Sequence, residues 1–257
     1  MADVPSSQPP LPCVWVLAGV LSYRLCDRDY RCEECELHHA LQGHPLPARA
    51  LAGPDSSVAE ADPGVSDFLC RLLEGCTLHL DRPYTASHFW LVPSSDDEVV
   101  LGLDDYIVRV LEPVDEIVSP GVGTWLMRDQ PCGWMKRGHT AIPLRMPLSG
   151  EVTGFNRVYA SHPSAQGSEA DDWLFRVRPH ESLDSLPGVF RGARALGWHR
   201  EKLRMLGRYL TEALGPDGVR EVGTTLADGG APVHNLEAVI GPQAFQRLVD
   251  DLFPMHI

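Results

Sequence analysis

Apolar and polar residues alternate in short runs between Tyr84 and Arg178, and turn residues separate the runs. The runs 89–92 and 99–103 flank a polar segment at 93–97, which is the pattern of a β-hairpin. Further short apolar runs follow at 115–118, 132–135, 141–144, 151–155 and 173–177. Many short strands at close spacing predict a β-sandwich or a partly closed barrel.

Helical periodicity occurs on both sides of the predicted strands. Ser66 is a helix-capping residue followed by apolar residues at helical spacing, which predicts a helix within 66–82. A leucine stripe over 191–214 and two short apolar segments over 235–253, separated by Gly241 and Pro242, predict a helical C-terminal extension at 181–257. A single helix is also expected at 104–111, with the acidic pair Asp104 and Asp105 on a solvated turn.

The N-terminal region is divided by its composition. Residues 1–12 are rich in proline and are predicted to form a disordered tail, and the small and polar residues 46–65 are predicted to form a linker. Between them, residues 13–45 are dense in cysteine and histidine. This segment cannot hold a hydrophobic core alone, so a bound metal would supply the missing stability.

Four cysteines in this segment have the spacing of a metal site, with two residues between the last pair. They are Cys13, Cys26, Cys32 and Cys35. Four thiolates suit a tetrahedral ion, so zinc is the first expectation. An iron–sulfur cluster is the alternative, because the spacing is one residue longer than a ferredoxin-like run. Free thiols or a redox pair at Cys32 and Cys35 are also open, and a nearby histidine could replace a cysteine as ligand. Those histidines are His38, His39 and His44.

Charge and hydropathy exclude several classes of function. The chain has 22 basic and 35 acidic residues, a net charge of −13, which disfavours nucleic acid as a partner. Its longest apolar run, at 14–20, is too short to cross a membrane, and the N-terminus lacks the features of a signal peptide. We therefore expect a cytoplasmic protein without membrane insertion. No catalytic motif is evident, so we expect no enzymatic activity.

Six segments in order give residues 84–179 a resemblance to a known family. They are 84–91, 100–106, 120–124, 147–152, Asn156 and 172–177. Together they resemble the H protein of the glycine cleavage system, a member of the biotinyl/lipoyl-carrier fold. The resemblance implies an α+β chain with a lipoyl-carrier-like β-sandwich, a flattened barrel, over 83–180. The segment from Cys13 to Cys32 is also similar to a Cys-rich extension that precedes H-like domains in some bacterial relatives.

The family carries lipoic acid on a lysine at the tip of a hairpin, and an acidic residue lies three positions before it. Counted back from Ser149, the lysine position falls on His139 and the acidic position falls on Lys136. Histidine cannot form the amide bond to lipoate, so lipoate is not expected at His139. Two alternatives remain open: Lys136 is modified in a hairpin of shifted register, or His139 serves as a ligand or proton carrier.

These observations predict a non-catalytic, H-protein-like scaffold or adaptor that has lost the lipoylation lysine. It would carry a four-cysteine metal site and dock onto protein partners in a larger redox or regulatory complex. The alternatives are an electron-transfer subunit with an iron–sulfur cluster on the same cysteines, and a lipoyl carrier modified at Lys136. The expected contact surfaces are the hairpin at 134–142 and the helix at 198–214.

Overall fold

A computed structural model of the chain describes residues 12–17, 21, 23–26, 28, 30–32, 35–41, 46–48, 63–94, 97–163, 172–227 and 235–253. The predicted tail lies outside the described residues except for Pro12, which forms an isolated bridge with Leu25. Most of the predicted linker, at 49–62, also lies outside them.

The N-terminal third contains short elements. They are α1 (Val14–Leu17), α2 (Glu36–Leu41), β1 (Leu46–Pro47), α3 (Pro63–Leu72) and β2 (Thr77–Leu78). β1 and β2 pair as a small antiparallel sheet. Helix α3 begins at Pro63, before the predicted cap Ser66, and ends at Leu72, within the predicted range, because Gly75 turns the chain with a φ of 81°.

The middle of the chain is built from strands, as the alternating pattern predicts. The elements are β3 (Tyr84–Thr85), β4 (Phe89–Pro93), β5 (Val99–Leu103), α4 (Asp105–Leu111), β6 (Glu116–Val118), β7 (Trp125–Leu126), β8 (Pro131–Arg137), β9 (Thr140–Arg145), β10 (Gly150–Phe155), α5 (Arg157–Ser161), β11 (Trp173–Pro179) and β12 (Val189–Phe190). A 3₁₀ turn lies at Leu183–Ser185. The C-terminal extension contains α6 (Gly192–Ala227), α7 (Leu236–Ile240) and α8 (Pro242–Leu252).

Two antiparallel sheets hold the middle domain together. The larger has the strand order β12-β3-β4-β5-β11-β10-β7, and the smaller has the order β6-β8-β9. The predicted hairpin is present as β4 and β5, with Phe89 opposite Leu103. Alternate residues of both sheets point into one core, which includes the fully buried Phe175, Met135 and Leu144. The fold is therefore α+β, as predicted.

The C-terminal extension packs on this domain and on α3. The leucines of the predicted stripe, Leu203, Leu206 and Leu210, are buried rather than available to a partner. Gly207 lies against α3, where a Cβ atom built on it would make an ordinary contact of 3.4 Å with Val65 Cγ1. The expectation that this helix is a contact surface is therefore wrong for its apolar face.

Candidate functional site

The hairpin formed by β8 and β9 has a two-residue loop at its tip. Arg137 pairs with Thr140, so the loop consists of Gly138 and His139. Gly138 adopts a left-handed φ of 56°, and its N–H donates to Asp115 Oδ2 at 2.7 Å. His139 is exposed. The register therefore places at the tip the residue that the sequence count assigned to the family's lysine.

Lys136 lies on the flank of the same hairpin. It is opposite Glu116 on β6, and its Nζ donates to Glu116 Oε1 at 2.5 Å. The hydrogen bond and the charge of Glu116 raise the pKa of Lys136. Both side chains are about half exposed, so this surface pair stabilises the fold little. Lys136 is thus an accessible amine that is paired with the neighbouring strand β6.

Arg137, between them in sequence, connects the hairpin to the C-terminal helices. Its guanidinium donates to the Glu237 carboxylate and, at 2.8 Å, to Asn235 Oδ1. Its Nε donates to the carbonyl of Leu111 at 3.0 Å, and its Cζ lies 4.4 Å from the centre of the Phe245 ring. Ionic and cation–π contacts act together here. The tip end of the hairpin, at the last strand pair before the loop, is consequently fixed to α7 and α8.

Local sequence patterns gave no indication of the Arg137 contacts. Glu237 is 100 residues away along the chain, and Asn235 is 98 residues away. Asn235 could only be recognised as a helix-capping residue, which it also is, since its side chain accepts from the N–H of Ala238.

The four predicted cysteine ligands and His38 face one small cavity. Cys13 and Cys32 are buried, whereas Cys26 and Cys35 are partly buried, and all four are free thiols. Within the described ranges, however, no group of three His, Cys, Asp or Glu side chains is close enough to hold a metal ion. The side chain of His39 and all of His44 lie outside the described residues. The cysteines are therefore brought together, but not into the arrangement of a metal site.

Backbone contacts explain why the cysteines converge. The N–H of Cys13 donates to the carbonyl of Arg24 at 2.8 Å, which joins the two ends of a loop. The N–H of Cys35 donates to the carbonyl of Cys32 at 3.0 Å and forms a tight turn, and the N–H of Tyr30 donates to Cys26 Sγ at 3.3 Å. Turns of this kind direct two sulfurs toward one point.

A buried carboxylate joins the middle domain to α6. Asp104 is 1% exposed and is the N-cap of α4, where its Oδ1 accepts from the N–H of Tyr106 at 3.2 Å. Its Oδ2 accepts from His199 Nε2 at 2.9 Å. His199 Nδ1 lies 2.9 Å from the carbonyl of Ala195, so both ring nitrogens have a hydrogen-bond partner. The expectation of a solvated turn at Asp104 is wrong, because its partner comes from a distant helix.

A second histidine completes this cluster. His88 has a positive φ of 62° and is fully buried, with Nδ1 at 3.6 Å from Asp104 Oδ2, beyond hydrogen-bond distance. Burial lowers its pKa to about 4 against the opposing effect of Asp104. Burial by itself would raise the pKa of Asp104, but His199 and His88 outweigh it and lower that pKa. Asp105, the neighbouring carboxyl, accepts from Thr77, and burial raises its pKa to about 7.

Comparisons with known proteins identify the middle domain. The family model described as Glycine cleavage H-protein matches residues 82–189. A glycine cleavage system H protein from Methylobacillus flagellatus is 30% identical over 104 residues, which are 40% of this chain and 85% of that protein. One from Halorhodospira halophila is 27% identical over 106 residues, covering 40% of this chain and 82% of that protein.

Among solved structures, a glycine cleavage system H protein from Mycobacterium marinum matches with a TM-score of 0.41 and 23% sequence identity. The match covers 47% of this chain and 98% of that one. In the described part of the chain, no helix is both long enough and apolar enough to cross a membrane. The matched segment, its strand pattern and its relatives agree with the resemblance seen in the sequence. The chain belongs to the glycine cleavage H-protein family.

Proposed function

We propose that this protein is a non-catalytic adaptor that displays an H-protein-like domain without using it as a lipoyl carrier. The observation that carries the proposal is the hairpin. Its exposed loop bears His139, and the strand pair directly before that loop is fixed to the C-terminal helices through Arg137. A carrier needs an acylable amine on a protruding turn, and imidazole does not provide one. Lipoate therefore does not fit the tip of this hairpin.

Modification at Lys136 is the competing hypothesis. The ε-amino group is accessible, but the ion pair with Glu116 joins it to the neighbouring strand β6 rather than to the loop. The residue three positions before Lys136 is Gly133, which is buried beside the Val118 carbonyl, so the acidic flank of the family is missing in that register. We therefore favour an unmodified chain.

Intact-mass spectrometry of protein made in a lipoylating host with added lipoate tests this directly. We expect the unmodified mass for the wild type and a lipoyl adduct for the double variant His139→Lys with Lys136→Glu, which restores amine and acid at the family spacing. His139→Arg with Lys136→Glu is the matched control, because arginine keeps the charge and cannot be acylated in this way. A lipoylated wild type whose adduct disappears in Lys136→Arg would establish the carrier function instead.

We further propose that the four cysteines bind one metal ion, with zinc as the first choice. Support comes from the convergence of Cys13, Cys26, Cys32 and Cys35 on one cavity. Metal analysis of anaerobically purified protein, with a visible absorption spectrum, tests this. About one zinc per chain without colour supports the adaptor. Iron with acid-labile sulfide would favour an electron-transfer subunit.

A pair of cysteine variants makes the metal assignment specific. Cys32→Ser removes one proposed ligand and should release most of the bound metal. Cys70→Ser changes a partly buried cysteine on α3, outside the cavity, and should leave the metal content unchanged. Full metal retention by Cys32→Ser, or equal loss from both variants, would contradict the proposed ligand set.

The outer face of the sheet β6-β8-β9 is the proposed contact with a protein partner in the cytoplasm. Val118 and Trp134 are neighbours across β6 and β8, and they are 41% and 39% exposed. Tryptophan is enriched at the centres of interfaces. A photo-crosslinking residue at Trp134 should capture a defined partner in cells of the source organism. The same residue at Val158, which is more exposed but lies on α5, should not capture it.

A further inference from the structure

A cleft of about 730 Å³ lies between the cysteine-rich segment and the first turns of α6. Leu17 and Tyr30 form part of one wall, and Leu186 and Val189 form part of another. Four arginines line this cleft, namely Arg31, Arg191, Arg194 and Arg200. We call it the arginine cleft. Its described lining contains no aspartate or glutamate, although acidic residues outnumber basic ones in the chain as a whole.

Arg200, in the wall of the cleft, has a guanidinium group whose hydrogen bonds are only partly satisfied. Its Nη2 donates to the carbonyl of Leu17 at 2.8 Å, but its Nε is buried without a hydrogen-bond partner. Burial and the charge of Arg204 lower the pKa of Arg200, and no carboxylate among the described residues opposes them. Arginine strongly prefers an anionic partner when it is partly buried. An anion entering the cleft would supply one.

The first turn of α6 adds to the positive potential. Gly192 and Ala193 line the cleft, and the N–H groups at the start of a helix lack partners within the helix. The macrodipole of α6 also places partial positive charge at this end. Helix and guanidinium groups therefore act on the same volume.

We propose that the arginine cleft binds a small organic phosphate with at least two negative charges, of the size of a nucleoside diphosphate. Guanidinium groups match phosphate oxygens in a two-point geometry. The apolar walls at Leu17, Leu186 and Val189 would contact the organic part. The volume lies within the range of small-molecule sites.

Isothermal titration of the full-length protein with ADP tests the proposal, at two fixed salt concentrations. We expect saturable binding that weakens at the higher salt concentration. Arg194→Ala, which removes an exposed guanidinium from the cleft, should weaken it about ten-fold or more. Gly197→Leu should weaken it comparably without changing charge, because Gly197 lines the cleft and a Cβ there would meet no atom within 4 Å.

The controls separate the cleft from general charge effects. Arg208→Ala removes an exposed arginine of α6 outside the cleft and should leave ADP binding unchanged. No saturable ADP binding, or equal weakening by Arg208→Ala, would overturn the proposal. If pyrophosphate bound with the same affinity as ADP, the proposal that the cleft also contacts the organic part of the ligand would be wrong.

The metal content of the same samples tests whether the cleft arginines instead stabilise the cysteine thiolates. Arg31 also lines the cysteine cavity, where its charge could stabilise thiolates, but Arg194 does not. Arg194→Ala should therefore keep its metal while losing ADP. Loss of metal with unchanged ADP binding would assign the cleft arginines to the cysteines and overturn the proposal. Far-UV circular dichroism confirms that each variant is folded.

Discussion

At the scale of single residues, Asp104 has the most demanding environment in the described structure. A buried carboxylate is costly unless it is paired, and here it receives hydrogen bonds from His199 and from the start of α4. Tyr84 and Trp198 each pack edge-on against the His199 ring, which holds it in place. The pair therefore fixes the position of α6 on the middle domain.

Removing His199 should strongly destabilise the protein. His199→Ala leaves Asp104 buried without its main partner, and breaking a buried pair costs about 3–5 kcal/mol. Urea unfolding followed by tryptophan fluorescence measures the change in the free energy of unfolding. His139→Ala, at the exposed hairpin tip, is the control and should change it by less than about 0.5 kcal/mol. A loss below about 1 kcal/mol in His199→Ala would show that the pair is not formed.

His88 predicts a specific dependence of stability on pH. Its pKa falls from 6.5 to about 4 on folding, so the unfolded chain binds more protons between these values. Stability is therefore lost as the pH falls from 6.5 towards 4, by about 3 kcal/mol in all. Asp105, whose pKa rises from 3.8 to about 7, gives a slope of opposite sign, so a single curve does not isolate His88.

The difference between wild type and His88→Asn isolates this contribution. Asparagine tolerates the positive φ at this position and does not titrate in this range. Tyr106, Trp198, Lys202, Phe253 and Asp104 surround the histidine, and they remain in both proteins. The free energies of unfolding of the wild type and of His88→Asn, measured at several pH values between 4 and 6.5, should approach each other as the pH falls. Parallel curves would show that His88 is not held neutral.

At the scale of secondary structure, the hairpin and the C-terminal helices act as one unit because of Arg137. Arg137→Ala should leave Glu237 without its partner and release α7 and α8 from the hairpin, at a cost of about 2–4 kcal/mol. Hydrogen exchange should accelerate in α8 and in the loop at His139. Arg178→Ala, which removes a surface pair with Glu151, is the control and should change neither region.

The contact between α3 and α6 depends on a small residue. Gly207→Ala should be neutral or stabilise by up to about 1 kcal/mol, since the added Cβ makes ordinary contacts and alanine favours a helix. Gly207→Leu should destabilise by about 1–3 kcal/mol because it would overpack against Val65 and Leu69. Thermal unfolding of the two variants should shift in these directions. Equal stability of the two would mean that the helices do not approach closely here.

Elements with local signals could be predicted from the sequence. The strand runs at 89–92 and 99–103 correspond to β4 and β5, and the break at Gly241 and Pro242 separates α7 from α8. Two-residue strands such as β3 and β12 were missed, because they have too few residues to show a period and form only by pairing.

The candidate site was predictable only where its residues are close in sequence. Counting along one hairpin located His139 at the tip, and the cysteine spacing brought four thiols to one cavity. The contacts of Arg137 and Asp104 join residues 95 to 100 positions apart. Such contacts depend on the tertiary arrangement. In the sequence, these residues look the same as charged residues on the surface.

At the scale of the whole molecule, α6 connects all the other parts. Arg200 reaches the cysteine-rich segment, His199 reaches Asp104 in the middle domain, and Gly207 lies against α3. These residues lie within three turns of one helix. The cysteine-rich segment and the middle domain therefore contact the same helix, although they are far apart in sequence.

The Arg137 contacts also link two equilibria, the binding of a partner by the hairpin and the packing of α7 and α8 on it. Suppose that the hairpin binds its partner with one affinity when Arg137 is bound to Glu237 and with another when it is not. The bound partner must then change the free energy of the contact between the hairpin and helices α7 and α8 by the same amount. Reciprocally, a molecule that binds those helices would change the affinity of the hairpin tip without touching His139. The C-terminal helices are then an effector site for the hairpin, coupled to it through one guanidinium group.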